Sequence, residues 1–550
     1  MRFALFLTAF AAFAQSPDAI LLNGKILTVD SQFSTREALA IRDGRIVAAG
    51  SSADVRRLAG PQTRVIDLGG RTVIPGLIDS HMHAIRAALS FSTEVNWIGA
   101  RSLADALGRI HEAAHTMKPG EWLIVAGGWT VPQFKENRRP TQAELVEAAP
   151  DNPVYVQLGY GWAMLTPKAL EILHIASDAD LPARGRLERG PDGKPTGGVS
   201  GGQNAIIALF DRLPKPTFEE QVEGTKKFFR ELNRLGITGV VDPGGNNMTP
   251  ESYQALFQVW REHDLTVRIA YALCGITPGK EFEELKDLTQ MLPMGFGDSM
   301  LRFNGIGERI TWAMNNNNKP TEDEKQKYYE IARWAAERGM SLTMHWPRDE
   351  SVGQLLDIFE RVNRDVPITN LRWSIAHLNN ASAASLRRMK ALGVGWTVQD
   401  AMYFSGEQFQ KQEGVEAARR APPVETAKEI GVVVGAGTDA HRVASYNPFT
   451  ALEWFLDGKT LSGAAIRGPE ETPSRAEALR LYTMGSAWFS HDEDQRGSLE
   501  VGKLADLAVL SKDYMSAPVE EVGGVESLLT MVGGRIVYAA GPFASLEAGR

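Results

Sequence analysis

The sequence predicts an α/β protein: a TIM (β/α)8 barrel with a large insertion after its first strand, beside a small discontinuous β-sandwich made from the two chain ends. Three observations predict it. Helix-period segments that stop at a glycine and run at once into an apolar strand recur through the middle of the chain, as parallel strands with helical crossovers require. Eight strand-like runs can be counted there. His81, His83, His345, His377 and Asp439 all fall at the C-terminal ends of such runs, where a barrel assembles its chemistry.

The eight runs are 73–83, 239–242, 267–273, 301–307, 342–345, 373–377, 395–399 and 432–439. Helix-period segments closed by Gly236, Gly339, Gly393 and Gly431 precede the second, fifth, seventh and eighth. A doubly wound sheet would place ligands at a switch point between strands, with no reason to draw them from the first, fifth, sixth and eighth. The stretch 84–235 is far longer than one crossover, so it reads as an insertion with its own small fold over one side of the barrel mouth, where substrate selection is expected. Short β segments with turn punctuation fill 18–75, and the same grammar returns at 507–510 and 529–538. Because chain ends often lie close together, these pair as one β domain, 15–72 with 486–550, leaving 73–485 for the barrel.

Composition narrows the function classes. The 550 residues carry a formal charge of -8 with no sustained Lys/Arg block, which excludes non-specific nucleic-acid binding and leaves a small-molecule substrate. Arg2 precedes an apolar run to Phe13, and Ala12-Phe13-Ala14 offers small residues before Gln15. This reads as a signal peptide, 1–14, cut after Ala14, so the protein is expected to be exported, periplasmic or secreted. A membrane anchor would need roughly 20 apolar residues, and no other run reaches that length, so no membrane contact is expected after cleavage. The one cysteine, Cys274, ends a strand-like run and reads as a small buried hydrophobe. A homo-oligomer stays open.

The chemistry follows from the strand-end residues. His81 and His83, two apart on an apolar run, point the same way and can share one metal ion. Neutral imidazoles with a carboxylate suit Zn²⁺ or a similar divalent ion. The expected ligands are His81, His83, His345 and Asp439, with His377 and Glu308 as further candidates. Such an ion lowers the pKa of a bound water towards ~7, Asp439 takes its proton and later delivers it to a leaving nitrogen. His377 either joins a second ion or stays unligated and polarises the substrate carbonyl, so Asp439 and His377 are the catalytic candidates. His111 and His115, four apart, read as solvated, His441 as a residue behind the ligands, and the run Asn315-Asn316-Asn317-Asn318 as a solvated loop.

Taken together, Pro75-Gly76-Leu77-Ile78-Asp79-Ser80-His81-Met82-His83, Pro150-Asp151-Asn152-Pro153-Val154, His345, Ile375-Ala376-His377, Gly437-Thr438-Asp439 and the run from Gly497 to Leu507 resemble the metal-dependent amidohydrolase superfamily, and within it the branch related to N-substituted formamide deformylase. The resemblance covers nearly the whole mature chain. It implies a barrel beside a small β-sandwich and hydrolysis of a C–N bond other than a peptide bond. Two positions depart from it. The branch generally offers a lysine on the fourth strand, carboxylated to bridge two ions, and the aligned residue reads as Arg302; related proteins also tend to carry a histidine where Gly161 stands. A permanent cation at a bridging position would repel a second ion, so one ion is expected rather than two, with Glu308 as the only nearby carboxylate that could bridge and Arg309 beside it as a competing ion-pair partner. A binding or regulatory protein without turnover, and a lyase or isomerase on the same scaffold, are the alternatives.

Overall fold

The computed structural model describes residues 16–245, 248–314 and 319–547, so the expected signal segment and the asparagine run lie outside the described residues. Eight parallel strands form one sheet in chain order. They are Leu77–Asp79, Ile237–Asp242, Arg268–Leu273, Leu301–Glu308, Leu342–Trp346, Ser374–His377, Gly395–Gln399 and Val434–Gly437. Ser80 donates its backbone N–H to the Ala436 carbonyl at 3.0 Å, so the last strand meets the first and the sheet curls into the expected barrel.

The helices between strands form for local reasons. Glu322–Glu337 starts under Thr321, whose side chain accepts from the Glu324 N–H while Glu324 reaches back, and it buries Tyr328, Ile331, Ala332 and Ala335 on one face. Ala383–Leu392 and Val424–Ile430 end on Gly393 (φ 67°) and Gly431 (φ 84°), left-handed caps that turn the chain straight into the next strand.

The first strand differs from its expected bounds. Thr72–Pro75 pairs with Leu507–Val509 and with Lys25–Ile26, so it belongs to the β domain, and the barrel strand starts at Leu77. Gly76 makes the hand-over, because any side chain there would strike that of Thr238. The β domain joins both chain ends: a six-stranded sheet mixes Thr72–Pro75 and Lys25–Leu27 with Leu507–Leu510, Ser527–Val532 and Arg535–Ala539, and a four-stranded sheet covers it. Leu21, Ile26, Leu39, Val73, Leu507 and Leu529 form the core of this domain. It is tied to the barrel by Arg268, which grips Asp506 with two bonds, Nε to Oδ2 at 2.7 Å and Nη2 to Oδ1 at 3.0 Å.

Within 84–235 a five-stranded sheet runs from Leu123–Val125 to Pro195–Ser200. Its aromatic residues are largely core: Trp97, Trp129, Phe134, Tyr155 and Trp162 are buried. Asn152 of the Pro150–Val154 motif donates to the carbonyls of Lys118 and Glu121, which makes it a structural tie. The last helix of this stretch, Phe218–Arg234, packs against the helix Ala84–Ser90 and Gln254–Arg261 as a barrel helix does. No helix among the described residues is long and apolar enough to cross a membrane.

Candidate metal centre

The C-terminal ends of five strands, with the turns that follow them, deliver the side chains that converge at the barrel mouth. His81 and His83 lie just past the first strand, and their orientation is set by backbone pairing with the turn after the eighth: the Asp439 N–H donates to the His81 carbonyl at 2.8 Å and the His83 N–H to Ala440 at 3.2 Å. Their rings stand 5.5 Å apart at 80°. Asp439 and His377 both hold left-handed backbones (φ 57° and 71°), conformations that non-glycine residues keep only where surroundings enforce them. The enforcing contacts for His377 come from the seventh strand, where Gln399 accepts its N–H at 2.9 Å and the Trp396 indole donates to its carbonyl at 2.9 Å.

The ligand atoms form two overlapping groups, His81, His83, Glu308 and Asp439 in one and Glu308, His345 and His377 in the other, each with all atoms within 4.8 Å. Glu308 belongs to both. Its Oε1 lies 3.0 Å from His345 Nδ1 and 3.7 Å from the Nε2 atoms of His81 and His377, and its Oε2 lies 3.7 Å from His83 Nε2. Asp439 Oδ1 stands 3.1 Å from His83 Nε2 and 3.7 Å from His81 Nε2. His345 therefore sits with Glu308 and His377, apart from the three residues with which it was expected to share one ion.

The expected role of Arg302 is corrected. It is the second residue of a strand whose last residue is Glu308, about 20 Å away at the usual rise per residue. At the far end of the barrel it pairs with Asp492 and the Ser490 carbonyl. The Arg309 guanidinium stacks 3.5 Å above the Trp312 ring. Strand direction explains the place of Arg302: the barrel mouth takes the residue at a strand's C-terminal end, and on the fourth strand that residue is the glutamate.

The donors suit a divalent cation. The Nε2 atoms of His81 and His377 are buried without a hydrogen-bond partner, atoms that a metal ion would satisfy. Burial pushes the Glu308 carboxyl up, but the charge of His83 and the nearby rings of His345, His377 and His81 outweigh it and hold the group well below the usual carboxylate range. Asp439 is lowered in the same way, its burial overcome by His83 and His377. Beneath them Asp79 accepts from the backbone N–H of His81 and the hydroxyl of Thr438, and burial lifts its carboxyl to about 7.

His111 and His115 are exposed on one helix, while His441 is buried behind the ligands, 3.1 Å from Glu94. Cys274 is buried, its thiol donating to the Gly245 carbonyl. Sequence reasoning missed Glu94, and also Arg86; the only signal for the latter was a lone charge in the apolar run 84–89. In front of His345, His377 and Asp439 opens a cleft of about 820 Å³, walled by Val131 and Leu158 from the insertion and by Tyr403 and Phe404 from the barrel.

A barrel with histidines and carboxylates gathered at its mouth defines a metal-dependent hydrolase scaffold. The particular family is shown by comparison: residues 64–538 match the model of the amidohydrolase family, and the chain belongs to it. It is 27% identical over 547 residues to N-substituted formamide deformylase of Arthrobacter pascens, covering 95% of this chain and 99% of that protein. It is 26% identical over 542 residues to LONG AFTER FAR-RED 3 of Arabidopsis thaliana, covering 95% and 91%. Among solved structures, an uncharacterized metal-dependent hydrolase from Pyrococcus horikoshii superposes with a TM-score of 0.65 at 22% identity, covering 91% of this chain and 99% of that one. The zinc complex of atrazine chlorohydrolase TrzN from Arthrobacter aurescens does so with 0.53 at 17% identity, covering 96% and 97%. At these identities the structural likenesses speak for the fold.

Proposed function

We propose that this chain is an exported hydrolase that cleaves a C–N bond, other than a peptide bond, in a small amide or cyclic amide, using two divalent ions of the zinc type that share Glu308. The observation that carries this reading is the position of Glu308 in both ligand groups. Two ions are favoured over one because the cation that argued against a second lies at the other end of the barrel. His81, His83 and Asp439 would hold one ion, His345 and His377 the other, with Glu308 between them.

Ions bound there activate water and polarise the scissile carbonyl. The chain's own residues do the rest. Asp439, held ionised by its histidine neighbours, accepts a proton from the attacking water and returns it to the nitrogen as the C–N bond breaks. Gln399 and Trp396 fix His377, and the Asp439 backbone bond to His81 fixes the acceptor, so the reacting groups lose little freedom in the transition state. Val131 and Leu158 bring the insertion over the cleft, which supports substrate selection by that segment.

The test is metal content of the purified protein combined with a screen of N-substituted formamides, cyclic imides and N-acyl amino acids, with products examined for oxygen from labelled water. Turnover with one solvent oxygen per product supports the reading. Metal without turnover on any of these classes would favour the binding or regulatory alternative, and turnover without solvent oxygen the lyase or isomerase. The export part rests on residues 1–14 of the sequence alone.

A further inference from the structure

Arg86 lies three residues beyond His83, on the helix Ala84–Ser90, where Ala84, Ile85, Ala87 and Ala88 are all buried. Its Nε is buried without a partner, and the guanidinium makes no hydrogen bond or ion pair with any described residue. A guanidinium cannot shed its charge; Arg86 is half-buried, and although burial works against that charge, Tyr160, Glu308, Asp439 and Asp242 around it outweigh the burial without bonding to it, which leaves its donors for a ligand. Nearby carboxylates are otherwise engaged. Glu308 turns to the histidines, and Asp242 accepts from the N–H groups of Ile85 at 2.8 Å and Gly244 at 2.9 Å.

Arg86 stands close to the ligand candidates. A side chain begun at Gly245 would come within 3.0 Å of His83 Nδ1 and 3.4 Å of Arg86 Nη1, so only the backbone of a glycine separates a metal-ligand candidate from the guanidinium. On its other side Arg86 lines a cavity of about 330 Å³ walled by Gln157, Tyr160, Phe210, Met248 and Arg442. Arg442 is already matched by Glu94 at 3.2 Å and by the Ala126 carbonyl at 2.9 Å. The remaining charges of the wall, Lys215 with Asp211 and Glu251, sum to one negative charge, so the cavity has no surplus cation beyond Arg86 and does not suit a doubly charged phosphate.

We infer that Arg86 anchors a carboxylate of the substrate, gripping both oxygens with its planar fork, while the apolar body of that arm packs on Phe210 and Met248 and the scissile bond reaches Asp439. The inference rests on the hydrolase reading and narrows its substrate to an anionic amide. The hairpin of the insertion shapes both spaces, since Gln157 and Tyr160 face the cavity and Leu158 faces the cleft.

Two measurements on wild type, Arg86→Met and Arg86→Lys test it. The first compares kcat/KM for N-benzylformamide and for the same amide bearing a para-carboxylate. Arg86→Met is expected to lose about 10- to 100-fold on the carboxylate substrate, through KM, with the neutral one nearly unchanged and Arg86→Lys in between. Equal loss on both substrates would mean a structural role and overturn the proposal. The second is calorimetric binding of benzoate against benzamide, which needs no turnover. Benzoate should bind wild type and weaken at least about tenfold in Arg86→Met, whereas no binding to wild type, or unchanged binding because the anion sits on a metal ion, overturns the proposal. If wild type cleaves neither formamide while benzoate still depends on Arg86, the formamidase form of the hydrolase reading fails and the anion site stands.

Discussion

His345 Nδ1 lies 3.0 Å from Glu308 Oε1, and that carboxylate is at the same time within 3.7 Å of His81, His83 and His377. A single glutamate at a strand end thus joins ligands from the first, fifth and sixth strands. Its removal should undo the centre as a unit. Wild type is expected to carry two equivalents of metal per chain by elemental analysis, and Glu308→Ala one or fewer, with turnover lower by at least about 1,000-fold. One equivalent in both proteins would restore the single-ion reading.

Asp439→Asn keeps the shape of the side chain but removes the proton acceptor. Turnover should fall by about 100- to 10,000-fold while the circular dichroism spectrum and thermal midpoint stay close to wild type. A metal-loaded variant working at near wild-type rate would rule out Asp439 as the base.

The two-bond pair between Arg268 and Asp506 is buried on both sides and joins the barrel to the β domain, with Gly533 donating a further N–H to Asp506 at 2.7 Å. Asp506→Ala leaves a buried guanidinium unpaired, so chemical denaturation should show a loss of about 3–5 kcal/mol in the unit that contains the junction. A loss below about 1 kcal/mol would show that the junction is held by its apolar contacts instead.

Asp400, at the end of the seventh strand, is fully buried and neither carboxyl oxygen has a hydrogen-bond partner. Burial, with Asp79 and Asp439 near it, holds its carboxyl well above the usual range. The folded chain therefore keeps a proton that the unfolded chain releases, and stability that is complete below about pH 4 is lost as the pH rises towards the folded value. Asp400→Asn escapes that loss. In chelated protein its thermal midpoint should exceed that of wild type at pH 8, with the gap closing towards pH 4; a gap that does not change with pH would contradict a protonated Asp400.

For export, expression in a host competent for secretion should give a mature chain that begins at Gln15 by N-terminal sequencing. Exported protein that keeps Met1 would count against the signal peptide read from residues 1–14.

Much of the site was legible because a barrel ties chemistry to strand ends, and apolar runs closed by His345, His377 or the Gly437-Thr438-Asp439 turn mark those ends in one dimension. The glycine caps at Gly393 and Gly431 marked helix stops for an equally local reason, a backbone conformation that few other residues adopt. Pairing partners were less legible. The run 73–83 is continuous in hydropathy, yet it is split at Gly76 because the β domain claims Val73–Pro75 through strands more than 430 residues away in sequence. The same distance problem misplaced Arg302: sequence shows that a strand contains both an arginine and a glutamate, but which of them meets the histidines depends on where the strand's end stands against its neighbours. Local pattern alone determined the fold class, the discontinuous β domain and the histidines and aspartate at the barrel mouth. Only the tertiary structure decided that Glu308 lies between two ligand groups, that Arg302 is spent at the far end of the barrel, and that Arg86 is left without a partner, because each is a matter of distances between strands and helices that no spacing along the chain encodes.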